Sequence, residues 1–367
     1  MAICKKCIIP DSFPEITFKD GICNICRNHN HSNKDNKNYL GKEKLIEILT
    51  SKKNREYDCT VPFSGGKDSS YALYYIAREL KLKPLAIFFD NGFTTEYAMN
   101  NIRNICQNLN VELIIGNATK FRKKIIKESL LLSKYTGQML PVCSNCESNL
   151  RSFAINETVK RDIPFIIWGS TDFEDAPISF IDSQGSTFRE SYGSIASMLH
   201  KLKKSLELFL LNVSFSNKIK TSVHGAKYLY YLIRDNMEMN VPEGWKKFNP
   251  FMEVSFEGKK TKAIYFYDYI YYDPFNFIKI LEKEIGWQSP KGKEGKMDCQ
   301  LALWHDYEQL LKTGLSATGF TLSVLVRDGL LDREKALEKE ELIKRDLKIE
   351  CKKLGEELGV NIMNVLQ

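Results

Sequence analysis

Apolar and polar positions through the middle of the chain predict strand and helix in regular alternation. Cys59 to Phe63 is a short apolar run that reads as a buried strand, and Tyr71 to Leu80 places Ala72, Leu73, Ile76, Ala77 and Leu80 on one helical face. The beat continues with a strand at Leu85 to Phe89 and a helix at Glu96 to Leu109 that turns Ala98, Ile102, Ile105 and Leu109 inward. A strand at Val111 to Ile115, a helix at Cys143 to Lys160 and a strand at Phe165 to Trp168 follow. Such repetition predicts an α/β fold built on a doubly wound parallel sheet.

The flanking regions have other patterns. Asn30 to Asn38 is polar and lysine-rich, as in a linker, and Lys42 to Leu49 reads as a short helix. Beyond residue 176 the alternation stops. Met198 to Val213 reads as an amphipathic helix with Leu199, Leu202, Leu206, Phe209 and Leu210 on one face, a core-packing pattern rather than a membrane-surface one. Tyr265 to Pro274 is dense in aromatics, some for the core and some for a ligand wall. Asp298 to Lys312 and Asp332 to Leu358 look helical, the second charged enough for a solvated helix or a docking face. The expected organisation is an N-terminal module at 1–38, a nucleotide-binding domain at 39–180, an insertion at 181–260 and a mainly helical region at 261–367.

Composition narrows the classes. The 367 residues suffice for a full α/β core plus smaller modules, and the formal net charge of +7 suits anionic ligands without deciding among them. No apolar run approaches the roughly 20 residues that span a bilayer, and no secretory apolar region opens the chain, so a cytoplasmic location is expected. Ten cysteines in such a compartment point to metal or cluster ligation rather than disulfides. Cys4 and Cys7 form one C-x2-C knuckle, and Cys23 and Cys26 form a second one after an intervening loop. Four soft thiolates at that spacing predict a structural zinc ribbon, with a rubredoxin-like iron site as the alternative; His29 and His31 are surplus to the shell.

The strongest local signal is Ser64-Gly65-Gly66-Lys67-Asp68-Ser69, set between the first strand and its helix. Two glycines let the backbone approach an oxyanion, the helix start offers free N–H groups, Ser64 and Ser69 add hydroxyls and Lys67 adds charge. The pattern is not a Walker A loop, because Val61 and Asp68 stand where that motif needs Gly and Ser or Thr. It resembles the signature of the PP-loop ATP pyrophosphatases, the adenine nucleotide alpha-hydrolase-like group, which cleave ATP between the α and β phosphates and transfer AMP. In such a fold Asp90-Asn91-Gly92 and Gly169-Ser170-Thr171-Asp172 end strands on the ligand side. The resemblance implies nucleotide contact at Asp90 and Gly169, and a part for Asp68 and Asp172 beside Mg²⁺. Cys143 and Cys146 open a helix near the same edge, an arrangement that resembles the one by which certain PP-loop sulfur transferases hold an iron–sulfur cluster, with Cys299 as the third ligand; the alternatives are that the two bind zinc or merely pack.

The wider layout is similar to that of the N-acetyl sugar amidotransferases of surface polysaccharide (lipopolysaccharide) and nonulosonic acid biosynthesis. It comprises the N-terminal knuckles, Val61 to Ser69, the Cys143–Cys146 helix, Phe165-Ile166-Ile167-Trp168-Gly169, the aromatics near Tyr267, Gly286-Trp287 and Asp298-Cys299. One departure is Ser170-Thr171-Asp172, where that family is expected to carry Glu-Asn-Pro. The resemblance implies ATP-dependent adenylation of an acetamido oxygen on a nucleotide-linked sugar, followed by attack of ammonia to form an acetamidino group. Implied cofactors are ATP, Mg²⁺ and Zn²⁺, with a [4Fe-4S] cluster in the alternative.

Position 2 is Ala rather than a nucleophilic Cys, and no Gly-x-Cys-x-Gly elbow occurs, so a separate glutaminase subunit is the expected ammonia source. A homodimer is compatible with this reading, and neither a membrane nor a nucleic acid is an expected partner. The rival is a PP-loop tRNA thiolation enzyme with a cysteine-held cluster.

Overall fold

The central strands are buried on both faces, which is why they read as continuous apolar runs instead of alternating ones. The computed structural model describes residues 2–29, 39–51, 56–136, 142–171, 215–238, 254–256, 259–289 and 298–361. A two-strand ribbon, β1 (Phe18–Lys19) and β2 (Ile22–Cys23), leads into α1 (Asn24–Asn28). Next come α2 (Lys42–Thr50), β3 (Cys59–Pro62) and α3 (Lys67–Tyr74), which continues as a wide π turn over Tyr75–Glu79. They are followed by β4 (Pro84–Asp90), α4 (Glu96–Leu109), β5 (Leu113–Asn117), α5 (Arg122–Thr136), α6 (Val142–Lys160) and β6 (Phe165–Trp168). The C-terminal part holds α7 (Phe215–Glu238), β7 (Val254–Phe256), β8 (Lys259–Tyr265), α8 (Pro274–Ile285), α9 (Gln300–Thr313), α10 (Ala317–Arg327) and α11 (Arg333–Leu358).

Strand order in the main sheet is β5-β4-β3-β6-β8-β7, with β7 antiparallel and the other five parallel. From β3 the chain first builds outward through β4 to β5, then returns to lay β6 and β8 on the opposite side. The direction of winding therefore reverses between β3 and β6. A crevice opens at the carboxyl ends of strands at such a reversal, and Ser64 to Gly66 leaves β3 there.

The helix read at Glu96 to Leu109 has those bounds, with Thr95 accepting from the Ala98 N–H at its start. Its end moved the next strand. Asn110 turns left-handed, and Val111 N–H donates back to the Cys106 carbonyl at 2.9 Å, so Val111 closes the helix and β5 begins at Leu113. The helix expected at Asp332 to Leu358 forms as α11, and it is two-faced: charged residues such as Lys335, Glu341, Arg345 and Lys352 meet solvent on one side. Ala336, Ile343, Leu347, Cys351, Leu354 and Leu358 are buried, packed with α9 and α10. The linker at Asn30 to Asn38 and the helix at Met198 to Val213 lie outside the described residues.

The N-terminal ribbon is joined to these C-terminal helices. Arg333 donates to the carbonyls of Cys4 and Cys7 at 3.0 to 3.1 Å, Ser12 donates to Thr313 O at 2.7 Å, and Phe13 stacks on Phe320 with centroids 5.5 Å apart. His29 lies 3.1 Å from Asp328. One continuous core runs from the ribbon cysteines through the sheet to α11. Among the described residues no helix is long and apolar enough to cross a membrane.

Candidate nucleotide-binding site

At the end of β3 the backbone turns through Gly65, whose φ lies in the left-handed region where a side chain would be strained. A Cβ there would also lie 2.7 Å from the Ala98 carbonyl, so α4 backs the loop closely and only glycine fits. Gly66 is different. Its extended backbone suits any residue, and the space its Cβ would fill borders the Ser64 hydroxyl at 3.3 Å and the Asp298 carboxylate at 3.4 Å. That space is a cradle walled by a hydroxyl and a carboxylate at the start of α3, where the free N–H groups and positive dipole end favour an anion.

The loop is tied from within and from outside. Ser69 Oγ accepts from Ser64 N–H at 3.2 Å, and Lys67 Nζ lies 2.6 Å from Asp68 Oδ2. Gly169, at the end of β6, approaches so closely that a Cβ would sit 2.8 Å from Ser69 Cα. From the C-terminal part, buried Trp287 donates its indole N–H to the Gly65 carbonyl at 2.9 Å, and Tyr267 donates its hydroxyl to the Asp68 carbonyl at 2.7 Å. Asn101 reaches Gly65 O at 3.5 Å and Gln288 O at 3.1 Å, fastening the Trp287 segment to α4. With its carbonyls engaged behind, the turn holds its orientation before any ligand arrives.

The structure thus brings together Ser64, Gly65, Gly66, Lys67, Asp68, Ser69 and Gly169. Asp90 ends β4 on the same edge, where its carboxylate accepts from Gly92 N–H at 2.9 Å and Thr94 Oγ at 3.0 Å in a self-contained turn. Asp172 lies outside the described residues. Sequence reasoning placed Tyr267, Trp287 and Asp298 in the layout but gave none of them, nor Asn101, a contact with the loop, which they reach from far along the chain. Asp298 comes with a short antiparallel contact, Thr95 N–H to Asp298 O at 3.2 Å and Gln300 N–H to Phe93 O at 2.9 Å.

That contact also carries Cys299 to the site. Asn91 Nδ2 donates to Cys299 Sγ at 3.3 Å. Burial pushes the Cys299 thiol up to about 12 and raises Cys146 as well, the latter opposed by the Arg122 guanidinium, whose Nη1 lies 4.0 Å from its sulfur. Arg122 is itself buried and paired with Asp235 at 2.7 Å, which also accepts from Asn149 at 3.0 Å. Cys143 stands one turn before Cys146 in α6; its side chain lies outside the described residues.

The four ribbon cysteines are buried with sulfurs all within 4.8 Å of one another. The Cys7 and Cys23 sulfurs are 3.8 Å apart. That is the edge of a tetrahedron whose centre lies about 2.3 Å from each corner, the usual zinc–sulfur distance. Hydrogen bonds from Cys26 and Cys7 lower the Cys23 thiol, while the bond with Cys23 raises Cys7. Sulfurs that compete in this way for protons are a donor set that fits a soft divalent cation.

No protein-family model matches the chain. An uncharacterized protein of Methanocaldococcus jannaschii is 37% identical over 78 residues, 21% of this chain and 28% of that protein, so the match spans less than a third of the relative's length. Among solved structures, the chain is similar to the NH3-dependent NAD synthetase of Campylobacter jejuni at 16% identity and a TM-score of 0.28, over 52% of this chain and 93% of the other. It is also similar to the U34-tRNA thiolase NcsA of Methanococcus maripaludis with its [4Fe-4S] cluster, at 15% identity and a TM-score of 0.28, over 81% and 93%.

Proposed function

We propose that this chain is an ATP-dependent, AMP-forming enzyme of the PP-loop type that replaces the acetamido oxygen of an N-acetylated, nucleotide-linked sugar by nitrogen. The observation that carries the reading is the Ser64 to Ser69 loop, fastened from behind by Trp287 and Tyr267 and open at the strand-order reversal.

An amide oxygen is a poor leaving group, and ammonia does not displace it unaided. The acetamido oxygen would attack the α phosphorus of ATP, the bond to the bridging oxygen would break, and pyrophosphate would leave. Ammonia would then add to the imidate carbon, the C–O bond would break, and AMP would depart to leave an acetamidino group. The chain's part is placement and charge stabilisation. Backbone N–H groups at Gly66 and the start of α3, with Ser64, Ser69 and Lys67, would hold the phosphates. Asp298 borders the cradle and Asp68 lies in the first turn of α3; the two would hold Mg²⁺, with Asp172 proposed beside them. Magnesium, when bound, neutralises phosphate charge. Ammonia would come from a separate glutaminase subunit, and the ribbon cysteines would hold zinc as a structural staple.

The test is direct: the chain is incubated with ATP, Mg²⁺, ammonium and a panel of nucleotide-linked N-acetyl sugars, and mass spectrometry looks for replacement of oxygen by NH. Exchange in at least one sugar supports the reading. ATP consumption without any such exchange removes the sugar.

A second reading, sulfur insertion into tRNA, is favoured by one observation, the packing of α6, which carries Cys146, on α9, which is capped by Cys299 next to the Asp298 that borders the loop. Those two with Cys143 would hold a cluster, which when bound would supply a site for sulfide. Tight, salt-sensitive tRNA binding in a gel-shift titration would favour this reading over the first.

A further inference from the structure

Helix α7 is amphipathic twice over. One side packs on α5, where Thr221 and Asp235 are buried, Tyr231 stacks on Phe121 with centroids 6.1 Å apart, and His224 pairs with Glu128. The opposite side should be polar if it only met water. Instead it presents Ile219, Val223, Ala226, Tyr230 and Ile233, at alternating steps of four and three along the helix. Ile219, Val223, Tyr230 and Ile233 are 55, 48, 56 and 51% exposed, and Leu229 beside them is 52% exposed. Several apolar side chains left half in water along one helix mark a contact surface rather than a core face. Their mean spacing of about 3.5 residues is that of a seam between two helices.

The flank of the seam specifies the charge of what covers it. Lys220, Lys227 and Arg234 each follow a seam residue and recur once per heptad, so they form one row along one edge. The Lys220 ammonium lies over the Tyr135 ring at 5.5 Å and the Arg234 guanidinium over Phe121 at 5.7 Å; no carboxylate pairs with the row among the described residues. α5 and α7 together hold nine Lys and Arg against three Asp and Glu, a net of +6 against the +7 of the whole chain. The excess is therefore concentrated on this helix pair.

We propose that α7 is a docking helix for a partner protein that presents an amphipathic helix with an apolar seam and an acidic flank. A second copy fits poorly: antiparallel pairing sets the cation row against itself, and parallel pairing sets it against Ser222, Leu229 and Asn236. RNA would find phosphate partners but nothing for Ile219, Val223 and Ile233. A membrane-surface helix carries cations along both edges of its apolar face, whereas this row occupies one. The proposal stands apart from the nucleotide reading, since it uses no residue of the loop.

The experiment uses the purified full chain and a fluorescein-labelled designed helix about four heptads long, with Leu and Ile at the seam and Glu on both flanks. Anisotropy should show saturable binding that weakens by at least about tenfold between roughly 0.05 and 0.5 M salt. The V223D/I233D variant, which leaves the buried face of α7 intact, should lose it. The K220E/K227E/R234E variant should lose the acidic helix and gain a version with Lys in place of Glu, a swap that a misfolded chain would not produce. Equal affinity of the native chain for acidic and basic helices, or no binding at all, overturns the proposal. So does tighter binding of tRNA, of phosphatidylglycerol vesicles, or of a second copy by sedimentation, if V223D/I233D abolishes it.

Discussion

At the level of single residues, the two loop glycines separate folding from binding. Gly65 needs its left-handed backbone, and a Cβ there would meet the Ala98 carbonyl at 2.7 Å. Gly65→Ala is therefore expected to lower stability by about 1–3 kcal/mol, measured by urea unfolding. Gly66 needs neither allowance. Gly66→Ala should unfold like the native chain yet bind ATP at least about tenfold more weakly by calorimetry, because the methyl group fills the space between Ser64 and Asp298. Equal ATP affinity for Gly66→Ala and the native chain would show that the phosphates lie elsewhere. Trp287→Phe removes the indole donor from the buried Gly65 carbonyl and leaves only the longer bond from Asn101, a loss of about 1 kcal/mol. If that indole orients the turn, turnover should fall further than stability alone explains. These contacts were not legible beforehand, since neither a tryptophan's partner nor a glycine's φ is written in local sequence.

At the level of elements, the N-terminal ribbon and the C-terminal helices act as one unit. Arg333 grips the Cys4 and Cys7 carbonyls and Phe13 stacks on Phe320, so loosening the knuckles exposes the ends of α10 and α11 as well. If the knuckles hold the proposed zinc, a chelator or Cys23→Ser is expected to lower the main thermal transition of the chain, with metal analysis showing loss of one zinc. An unchanged transition would mean the ribbon contributes nothing to the rest of the fold. In α9, burial raises Glu308 to about 7 from an ordinary 4.5, opposed by Lys312. The folded state thus holds its proton more tightly than the unfolded state, and stability should decline as pH rises from about 4.5 to about 7, then level off. Glu308→Gln should stabilise the chain at pH 8 by up to roughly 3 kcal/mol and change little at pH 4, read from denaturant midpoints at the two values.

At the level of the whole molecule, the alternation of strand and helix from Cys59 to Trp168 was legible because buried parallel strands and amphipathic α4 carry their period in the sequence. What was not legible depends on distant segments. Helix α5 is covered by α7, which arrives only after α6, β6 and a long intervening stretch, so nothing local marked Ile125 and Ile126 as core. β8 joins the sheet beside β6 after a similarly long interval, and its end merges into an aromatic run read for its rings. The loop itself was fully visible, since its glycines, serines and lysine are contiguous; its wall of Trp287, Tyr267 and Asp298 was not. The proposed function rests on that loop holding ATP for cleavage at the α phosphorus. Phosphorus NMR of ATP, Mg²⁺ and ammonium with the full chain and an accepted N-acetyl sugar tests this most directly. AMP and pyrophosphate are the expected products, and ADP with inorganic phosphate would contradict the account.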